Sequence, residues 1–264
     1  EHTYELYTYT AKGQQVIKND IPLGDSLTYD VFFRFDNVND RLVAGGLYSN
    51  KDLIRATGYF FLAFQSGSPD SYLINFIPFS QDLVEGVEGK KLRNNKGIDE
   101  ISIRDGVLRR DGGLVLITER NRQAERRTTT TGNRLLYDTG GRVLVDYHYD
   151  ELVILAVNPD GTPHWTNILH KKQYSQDDQG AFSSFFLLRG PRALRFLFND
   201  EIRYENTVSE YVINGLGQYD RNSLFNTRNL DLRLRFRDGL QVAANEIIVP
   251  SERKNRLRLV AMTY

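Results

Sequence analysis

The feature of this sequence that most constrains its fold is a pair of β-hairpins that recurs four times. The first hairpin of each pair crosses a turn that contains Gly, and its copies cover residues 6–17, 59–76, 152–165 and 211–218. The second hairpin ends in a more apolar strand, and its copies cover residues 30–48, 101–119, 184–200 and 247–262. Gly, Asn and Asp supply the positive φ that short hairpin turns need. Recurrence in a constant order indicates an array of similar antiparallel units.

The amino-acid composition agrees with an array of strands. The chain contains 15 Tyr, 15 Phe and 21 Gly, and aromatic residues favour the half-buried surface of a pleated sheet. Equivalent turns of the first hairpin lie roughly 50 residues apart, with one longer interval, and ~40–50 residues is the length of a four-stranded propeller blade. We therefore predict an all-β protein, more specifically a β-propeller of four-stranded blades with about four blades present. A β-sandwich, or a pair of them, is the alternative.

Two ring geometries fit the repeat in a single domain over residues 1–264: a small closed ring, or half of a larger ring. In this interpretation three apolar runs are innermost strands, buried on both faces by neighbouring blades: residues 114–117, 194–198 and 257–262. We also predict that residues 256–262 pair beside residues 6–10 and close the first blade. Such closure would remove an exposed sheet edge.

The longer interval contains an inserted hairpin at about residues 121–150. It carries a charge cluster that includes Arg126 and Arg127, and its strands carry Tyr137 and Tyr147. One interpretation is a solvated decoration of the surface. The other is an arm that binds a partner protein, with these four residues as candidate contacts.

Charge and cysteine content exclude several classes of function. Lys plus Arg and Asp plus Glu both number 34, so the chain has no basic surplus for nucleic acid or an anionic membrane. The absence of Cys excludes thiol nucleophiles, iron–sulfur clusters and Cys-ligated zinc. No apolar run approaches the ~20 residues of a membrane-spanning helix, so we predict no membrane span.

No motif in the sequence predicts a metal, a cofactor or a catalytic centre. The four histidines show no HExxH spacing, and no GxSxG sequence is present. Asp177 and Asp178 are adjacent in a polar loop, where they either contribute to a calcium site or end in a solvated turn. Without the DxDxDG spacing the turn is favoured, and we predict neither metal nor cofactor.

The candidate ligand-binding residues follow from the repeat. Glu119 and Arg120 end one apolar run, and Asn199 and Asp200 end another at the same position of the repeat. In a propeller these positions meet at one mouth of the central channel, where ligands commonly bind. Glu119 and Asp200 are also the pair to test for glycoside cleavage, which needs two carboxylates ~5–9.5 Å apart. The other interpretation is that all four residues end strands in water.

Residues 155–166, Leu-Ala-Val-Asn-Pro-Asp-Gly-Thr-Pro-His-Trp-Thr, resemble the repeat hairpin of secreted bacterial β-propellers. Five segments resemble a group of uncharacterised extracytoplasmic β-propeller-like proteins of the Bacteroidetes type: residues 111–119, 150–165, 171–173, 177–178 and 198–200. The resemblance implies a periplasmic, cell-surface or secreted location, a longer precursor with an export signal, and the larger ring. It transfers no catalytic residue, because these segments specify turns and strand ends.

Three hypotheses of function follow. The first is a non-catalytic propeller module that binds a protein partner, or acts as a scaffold, in an extracytoplasmic assembly. The second is a carbohydrate-binding or glycoside-cleaving propeller that uses the same channel mouth, with a glycan as ligand. The third is a purely structural role. The lack of any catalytic motif favours binding over catalysis.

Overall fold

A computed structural model of the chain describes residues 2–9, 16–65, 71–94, 97–128, 142–200, 207–227, 230–253 and 255–264. Most of these residues lie in strands, and the one α-helix among them is α1 (Gln81–Glu88). The prediction of an all-β protein is confirmed. The strands are, in chain order, β1 (His2–Tyr9), β2 (Val16–Gly24), β3 (Leu27–Asp36), β4 (Arg41–Ser49), β5 (Arg55–Ala56), β6 (Gly58–Gln65), β7 (Tyr72–Pro78), β8 (Ile98–Asp99), β9 (Ile101–Leu108), β10 (Leu114–Thr128), β11 (Arg142–Val157), β12 (Pro163–Leu169), β13 (Gln173–Gln176), β14 (Phe186–Arg189), β15 (Ala193–Asn199), β16 (Thr207–Asn214), β17 (Tyr219–Asn226), β18 (Leu240–Ala243), β19 (Glu246–Arg253) and β20 (Arg256–Thr263).

The chain divides into two compact units, each made of two segments. Unit 1 comprises Glu1–Arg120 and Leu152–Ile168, and unit 2 comprises Asn121–Glu151 and Leu169–Tyr264. Strands β10 and β11 both continue from one unit into the other. They include the two ends of the inserted hairpin, whereas residues 129–141 lie outside the described residues. A single domain over the whole chain stays a prediction.

The strands of all eight predicted hairpins pair as expected. Three of the described sheets contain a path of four strands in chain order: β3-β4-β6-β7, β9-β10-β11-β12 and β14-β15-β16-β17. The second of them is five-stranded, because β13 also pairs with β11. The remaining described sheets are β1-β2, β5-β8 and β18-β19-β20. Each of the three larger sheets therefore joins a second hairpin to the first hairpin that follows it along the chain.

Two of the apolar runs, residues 114–117 and 194–198, do not form the innermost edge strand of a blade that the sequence analysis predicted. Residues 114–117 lie in β10 and residues 194–198 lie in β15, and each of these strands has a hydrogen-bonded neighbour on both edges. They are interior strands of a sheet rather than edge strands. Pairing on both edges, together with packing on both faces, leaves little place for polar side chains, which is why these runs are apolar.

In unit 1 the two faces of the sheet β3-β4-β6-β7 pack into two separate hydrophobic clusters. On one face, Phe61 packs with Leu114 and Leu155 of the next sheet. On the other face, Phe60 packs with Ile21 of β2, and the ring of Tyr4 lies 6.0 Å from that of Phe60. Phe60 and Phe61 are fully buried, and each contributes roughly 1.5–3 kcal/mol to stability by this burial. The β1-β2 ribbon therefore covers one face of the sheet β3-β4-β6-β7.

Helix α1 follows β7, and the sequence analysis did not predict it. The Ser80 side chain accepts a hydrogen bond from the backbone of Leu83 at 3.2 Å, and Gly89 ends the helix with a φ of 66°. Val84 and Val87 are buried in the unit 1 core. None of the helices in the described residues has the length and apolar character that crossing a membrane requires.

In unit 2 the sheet β18-β19-β20 packs on the sheet β14-β15-β16-β17. Ile247 and Val249 of β19 share a cluster with Leu197 and Val208. β20 differs from its prediction: Leu257 and Leu259 have exposed fractions of 68% and 69%. The run 257–262 is therefore not buried on both faces. Residues 256–262 pair with β19 in unit 2, and β1 pairs with β2 in unit 1. The closure of the first blade by these two strands stays a prediction.

Candidate functional site

The candidate site is a polar cleft of about 630 Å³ in unit 2. Its walls come from Glu151 within β11, from the loop between β12 and β13, from the residue after β15, from the start of β16 and from β17. All of its lining side chains are polar or charged: Glu151, His170, Lys171, Lys172, Asp200, Thr207 and Arg221.

Lys171 is the buried cation of the cleft. Its residue is only 3% exposed, and its ammonium donates hydrogen bonds to the backbone oxygen of Tyr149 and to Gln173 Oε1, both at 3.0 Å. The ammonium also lies 5.9 Å from the centre of the Tyr149 ring. A buried ammonium needs such partners to replace its lost hydration. These contacts fix the position of Lys171 within the cleft wall.

Asp200 and Arg221 form an ion pair in the cleft. Nη2 of Arg221 lies 2.6 Å from Oδ1 of Asp200, and the Ser209 hydroxyl donates to Oδ2 of Asp200. The Arg221 guanidinium lies 5.5 Å from the ring of Tyr211 and 5.8 Å from that of Phe198. Ion pairing and ring contacts together hold the guanidinium of this β17 residue against β15 and β16.

Tyr211 links this strand pair to the lysine loop. Its hydroxyl donates to the backbone oxygen of His170 at 2.7 Å, and its ring stacks on Phe198 at 5.8 Å. Burial raises the pKa of Tyr211 above its ordinary value. The phenol therefore remains a neutral hydrogen-bond donor at physiological pH.

Asn199 has a structural role next to the cleft. It is fully buried, and its Nδ2 donates to the backbone oxygens of Phe182 at 2.9 Å and Leu234 at 2.8 Å. Gln173 in turn donates to the backbone oxygen of Asn199 at 2.7 Å. The prediction that Asn199 and Asp200 mark the end of a strand is confirmed, since β15 ends at Asn199. Asp200 lines the cleft, whereas the Asn199 side chain bridges backbone inside unit 2.

Glu119 and Arg120 lie in unit 1 and do not end a strand, because β10 continues to Thr128. The prediction that they are strand-end residues is therefore wrong. Glu119 is fully buried, and its Oε2 lies 2.8 Å from Nε of Arg104 on the neighbouring strand. Arg120 donates to the backbone oxygen of Val87 at 3.3 Å and lies 3.4 Å from Glu88. Both residues tie β10 to its surroundings in unit 1.

Asp177 and Asp178 stabilise the loop after β13. Asp177 adopts a φ of 53°, and its Oδ1 accepts the backbone N–H of Val145 at 2.9 Å. Asp178 Oδ1 accepts from the hydroxyl of Ser175 at 2.7 Å and from the backbone of Gly180 at 2.9 Å. In the described part of the chain, no three His, Asp or Glu side chains converge as metal ligands would. The arrangement is that of a hydrogen-bonded turn.

The described base of the inserted hairpin holds a second polar cluster in unit 2. Arg126 Nε lies 2.7 Å from Asp146 Oδ2, and the Tyr174 hydroxyl donates to Asp146 Oδ1 at 2.6 Å. The hydrogen bond from Tyr174, with help from Arg126, lowers the pKa of Asp146. Arg127 is exposed and Tyr147 is half-buried. Tyr137 lies outside the described residues.

This cluster predicts a pH effect on stability. A carboxylate with a lowered folded-state pKa stabilises the fold above its unfolded pKa of about 3.9, and this contribution disappears as the pH falls through the folded value. We expect Asp146→Asn to lower the melting temperature by a few degrees at pH 7, with a difference that shrinks towards pH 3. Calorimetry across this range measures it. The exposed Asp220 provides the control Asp220→Asn, and an equal loss in both variants would contradict the role of the cluster.

Asp200 was predicted from the sequence as a ligand-binding residue, whereas most of the cleft was not. Lys171 and Lys172 belong to the polar loop that contains Asp177 and Asp178 and to one of the resembling segments, but neither was predicted to bind a ligand, and nothing in the sequence pointed to Arg221. Arg221 lies on β17, whose sequence Tyr-Asp-Arg-Asn-Ser-Leu-Phe-Asn is polar at its start. A polar strand facing water is common, so only the register of β17 against β16 places Arg221 beside Asp200. No local sequence signal reports that placement.

No protein-family model matches this chain, and no curated protein matches it either. The resemblance to extracytoplasmic propeller-like proteins consequently stays a prediction. A proposed function therefore rests on the cleft and on the sheets.

Proposed function

We propose that this chain is a non-catalytic binding module that takes an acidic segment of a protein partner in the unit 2 cleft. The observation that carries the proposal is the distribution of charge around the cleft. The carboxylate of Asp200 is held by Arg221 and Ser209, whereas Lys172 and His170 are exposed at the rim. Three cationic side chains, Lys171, Lys172 and Arg221, line the cleft together with two carboxylates, Glu151 and Asp200. The rim therefore offers hydrogen-bond donors and a small surplus of positive charge to a ligand.

An acidic peptide suits these groups. Lys172 supplies a point charge with three donors, and a partner's carboxylate accepts from such a group in several orientations. The fixed groups Lys171 and Arg221 give the cleft a defined shape before the ligand arrives, and Tyr211 supports both sides of it through the His170 backbone and the Arg221 guanidinium. Pre-organisation of this kind reduces the entropy lost on binding.

The contacts of the candidate carboxylates support binding over catalysis. Glu119 is buried against Arg104, and Asp178 accepts two hydrogen bonds within its own turn. Asp200 is paired with a guanidinium. A general acid or nucleophile has to reach its substrate, and a fully buried Glu119 does not offer its carboxylate to a glycan.

A carbohydrate ligand is the second candidate function. The cleft combines charged side chains that can bind hydroxyl groups with an exposed imidazole, that of His170. Sugar-binding sites combine polar groups that fix orientation with aromatic faces that stack on the ring. In this case the module would act as a lectin, with Asp200 and Arg221 as the hydroxyl-binding pair.

The architecture and the location are part of the proposal. The three antiparallel sheets that contain four strands in chain order support a β-propeller, because a propeller blade has this strand order. The extracytoplasmic location rests on the resemblance of the segments at residues 111–119, 150–165 and 198–200. Binding to a partner through the inserted hairpin, with Arg126, Arg127, Tyr137 and Tyr147, is proposed from the charge cluster of that hairpin and from its place outside the repeat.

The test uses the whole chain and a short synthetic peptide rich in Asp and Glu. We expect the parent chain to bind the peptide in titration calorimetry, and Lys172→Glu to weaken the affinity about tenfold by reversing the charge at the rim. Lys90→Glu in unit 1 changes the net charge equally and is the matched control. Binding should also weaken as salt rises.

The outcomes separate the two candidate functions. The acidic-segment proposal is wrong if the parent chain does not bind the peptide. It is also wrong if Lys172→Glu and Lys90→Glu lose the same affinity for it. Binding to members of a glycan panel that is lost in Asp200→Asn would instead establish the lectin. The side chains of Lys172 and Lys90 are exposed and that of Asp200 is partly exposed. Circular dichroism verifies that the three variants remain folded.

A further inference from the structure

Strand β17 of unit 2 presents an edge that is continuous with the cleft. It lies at one end of the sheet β14-β15-β16-β17, and within the described sheets it pairs with β16 alone. Residues 219–223, which begin the strand, are all exposed. Arg221 belongs both to this strand and to the lining of the cleft. A ligand in the cleft therefore lies next to the edge of β17.

The turn before β17 fixes which of its backbone groups bond to β16. The N–H of Asn214 donates to the backbone oxygen of Gln218 at 3.0 Å, so these residues form a hydrogen-bonded pair. Such pairs alternate with non-hydrogen-bonded pairs along an antiparallel ladder. The pair of Val212 and Asp220 lies two positions further and is therefore hydrogen-bonded. The N–H and C=O of Asp220 are directed at β16.

Tyr219 and Arg221 have the opposite orientation. They lie opposite Ile213 and Tyr211, in the non-hydrogen-bonded positions of the ladder, so their N–H and C=O groups point away from β16. A strand beside β17 can exchange hydrogen bonds with both residues. This contact uses only the backbone of Arg221, because its guanidinium is already paired with Asp200.

The side chains of Tyr219 and Arg221 lie on the cleft face of the sheet. The Arg221 guanidinium is 5.5 Å from the ring of Tyr211, and the Tyr219 ring is 5.9 Å from it. Thr207, which lines the cleft, lies four residues before Tyr211 on β16 and thus on the same face. An antiparallel strand beside β17 would place the side chains opposite Tyr219 and Arg221 on this face. Lys172 is exposed at the rim there.

The other face of β17 carries a negative charge. Asp220 is exposed and alternates with Tyr219 and Arg221 along the strand. A carboxylate of the added strand on this face would lie near a like charge, which is unfavourable. The two faces together favour a segment whose acidic residues alternate with neutral ones. Charged residues on an edge also oppose pairing between two copies of the same strand.

We propose that the acidic segment of the partner protein adds to this sheet as a strand antiparallel to β17, with alternate acidic side chains facing the cleft. The inference rests on the proposed function and gives the binding mode and charge pattern of its ligand. Backbone hydrogen bonds to Tyr219 and Arg221 supply affinity, and alternate side chains supply specificity, as in other strand additions. The acidic residues lie on the side of Lys172, and the intervening residues lie on the side of Asp220.

A peptide of alternating Glu and Thr tests the backbone contacts. In the proposed strand the N–H groups of its Glu residues point at β17, whereas those of its Thr residues point to solvent. One modified peptide is N-methylated at Glu, and its matched control is N-methylated at Thr. In titration calorimetry with the whole chain, we expect methylation at Glu to weaken binding at least about tenfold and methylation at Thr to weaken it less than about twofold.

Amide hydrogen exchange measured by NMR locates the contact on the chain. In the free protein the N–H groups of Tyr219 and Arg221 should exchange faster than that of Asp220, which bonds to β16. A saturating concentration of the alternating peptide should slow both at least about tenfold. The amides of β7, an edge strand of unit 1, should not change.

Asp220→Asn tests the charge pattern. The parent chain should prefer the alternating peptide to one of the same composition whose Glu residues form a single block. Removing the charge of Asp220 should reduce this preference by roughly two- to fivefold. Asp82→Asn on α1 changes the net charge equally and should leave the preference unchanged.

The outcomes distinguish this inference from the proposed function. If the unmodified peptide binds and both methylated peptides bind equally well, strand addition is wrong while the acidic-segment proposal stands. Strand addition is also wrong if the amides of Tyr219 and Arg221 are already protected in the free chain, since the chain then covers this edge itself. A parent chain that binds no acidic peptide contradicts both proposals.

Discussion

Asn199→Asp is expected to reduce the free energy of unfolding by about 4 kcal/mol at pH 7. The Asn199 amide donates to the backbone oxygens of Phe182 and Leu234, and all three residues are buried. The substitution removes both donors and places a carboxylate against two carbonyl oxygens. Each carbonyl that loses its partner costs roughly 1–3 kcal/mol, and burial of the charge adds to this loss.

The same variant should acquire a characteristic pH dependence. The introduced carboxyl lies in a buried site lined by acceptors, so its folded-state pKa is expected above the unfolded value of about 3.9. A raised folded pKa means that the variant is most stable relative to the parent below the unfolded pKa and loses stability as the pH rises through the folded value. Urea unfolding at pH 4 and pH 7, followed by circular dichroism, measures the difference.

Asn199→Ala is the matched control for this experiment. It also removes the two donors but introduces no titratable group, and we expect a loss of about 2 kcal/mol that is independent of pH. If Asn199→Asp unfolds at the same urea concentration as the parent at pH 7, the bridging role of Asn199 is wrong. If both variants lose stability equally at every pH, the buried-carboxyl argument fails while the hydrogen bonds stand.

The hairpins were predictable because their determinants are local. Turn residues such as Gly161, with a φ of 82°, and alternating apolar residues on either side specify a hairpin without reference to the rest of the chain. The unit 2 turn at Gly217, with a φ of 80°, follows the same rule. The grouping of hairpins into sheets did not follow from the repeat, because each of the larger sheets joins a second hairpin to the first hairpin after it.

Burial and strand length were less predictable because they depend on distant partners. Leu259 has the same apolar character as Leu197, yet one is exposed and the other fully buried. The difference comes from what covers each strand, which no local pattern contains. Similarly, β10 continues through the charged residues 120–128, because pairing partners rather than side-chain hydropathy maintain the strand.

The candidate site was also predictable only where its determinants are local. Repeat position correctly placed Asn199 and Asp200 at the end of an apolar strand, but it wrongly made Glu119 their equivalent. β10 continues past Glu119, whereas β15 stops at Asn199. Equivalence within a repeat fails where an insertion lengthens a strand, and the inserted hairpin follows directly after Glu119.

The buried ion pair of unit 1 carries the second large effect. Arg104→Ala is expected to reduce the free energy of unfolding by about 3 kcal/mol, because it removes the cation 2.8 Å from a fully buried carboxylate. Glu119→Gln keeps an acceptor for the guanidinium and should cost less. The exposed pair of Lys18 and Glu5, 2.7 Å apart, is the control, and Lys18→Ala should leave the free energy of unfolding nearly unchanged.

The double variant Arg104→Ala with Glu119→Gln decides whether the stranded charge is the cause. Without a buried carboxylate, the loss of Arg104 should be partly recovered, giving a coupling of 1 kcal/mol or more, roughly the size seen for contacting residues. Additive losses would instead show that Arg104 acts through packing. The Glu119→Gln variant also tests function, because Glu119 lies in unit 1 and does not line the cleft. Peptide or glycan binding by the unit 2 cleft should survive it unchanged, whereas a glycoside-cleaving role for Glu119 requires that turnover be abolished.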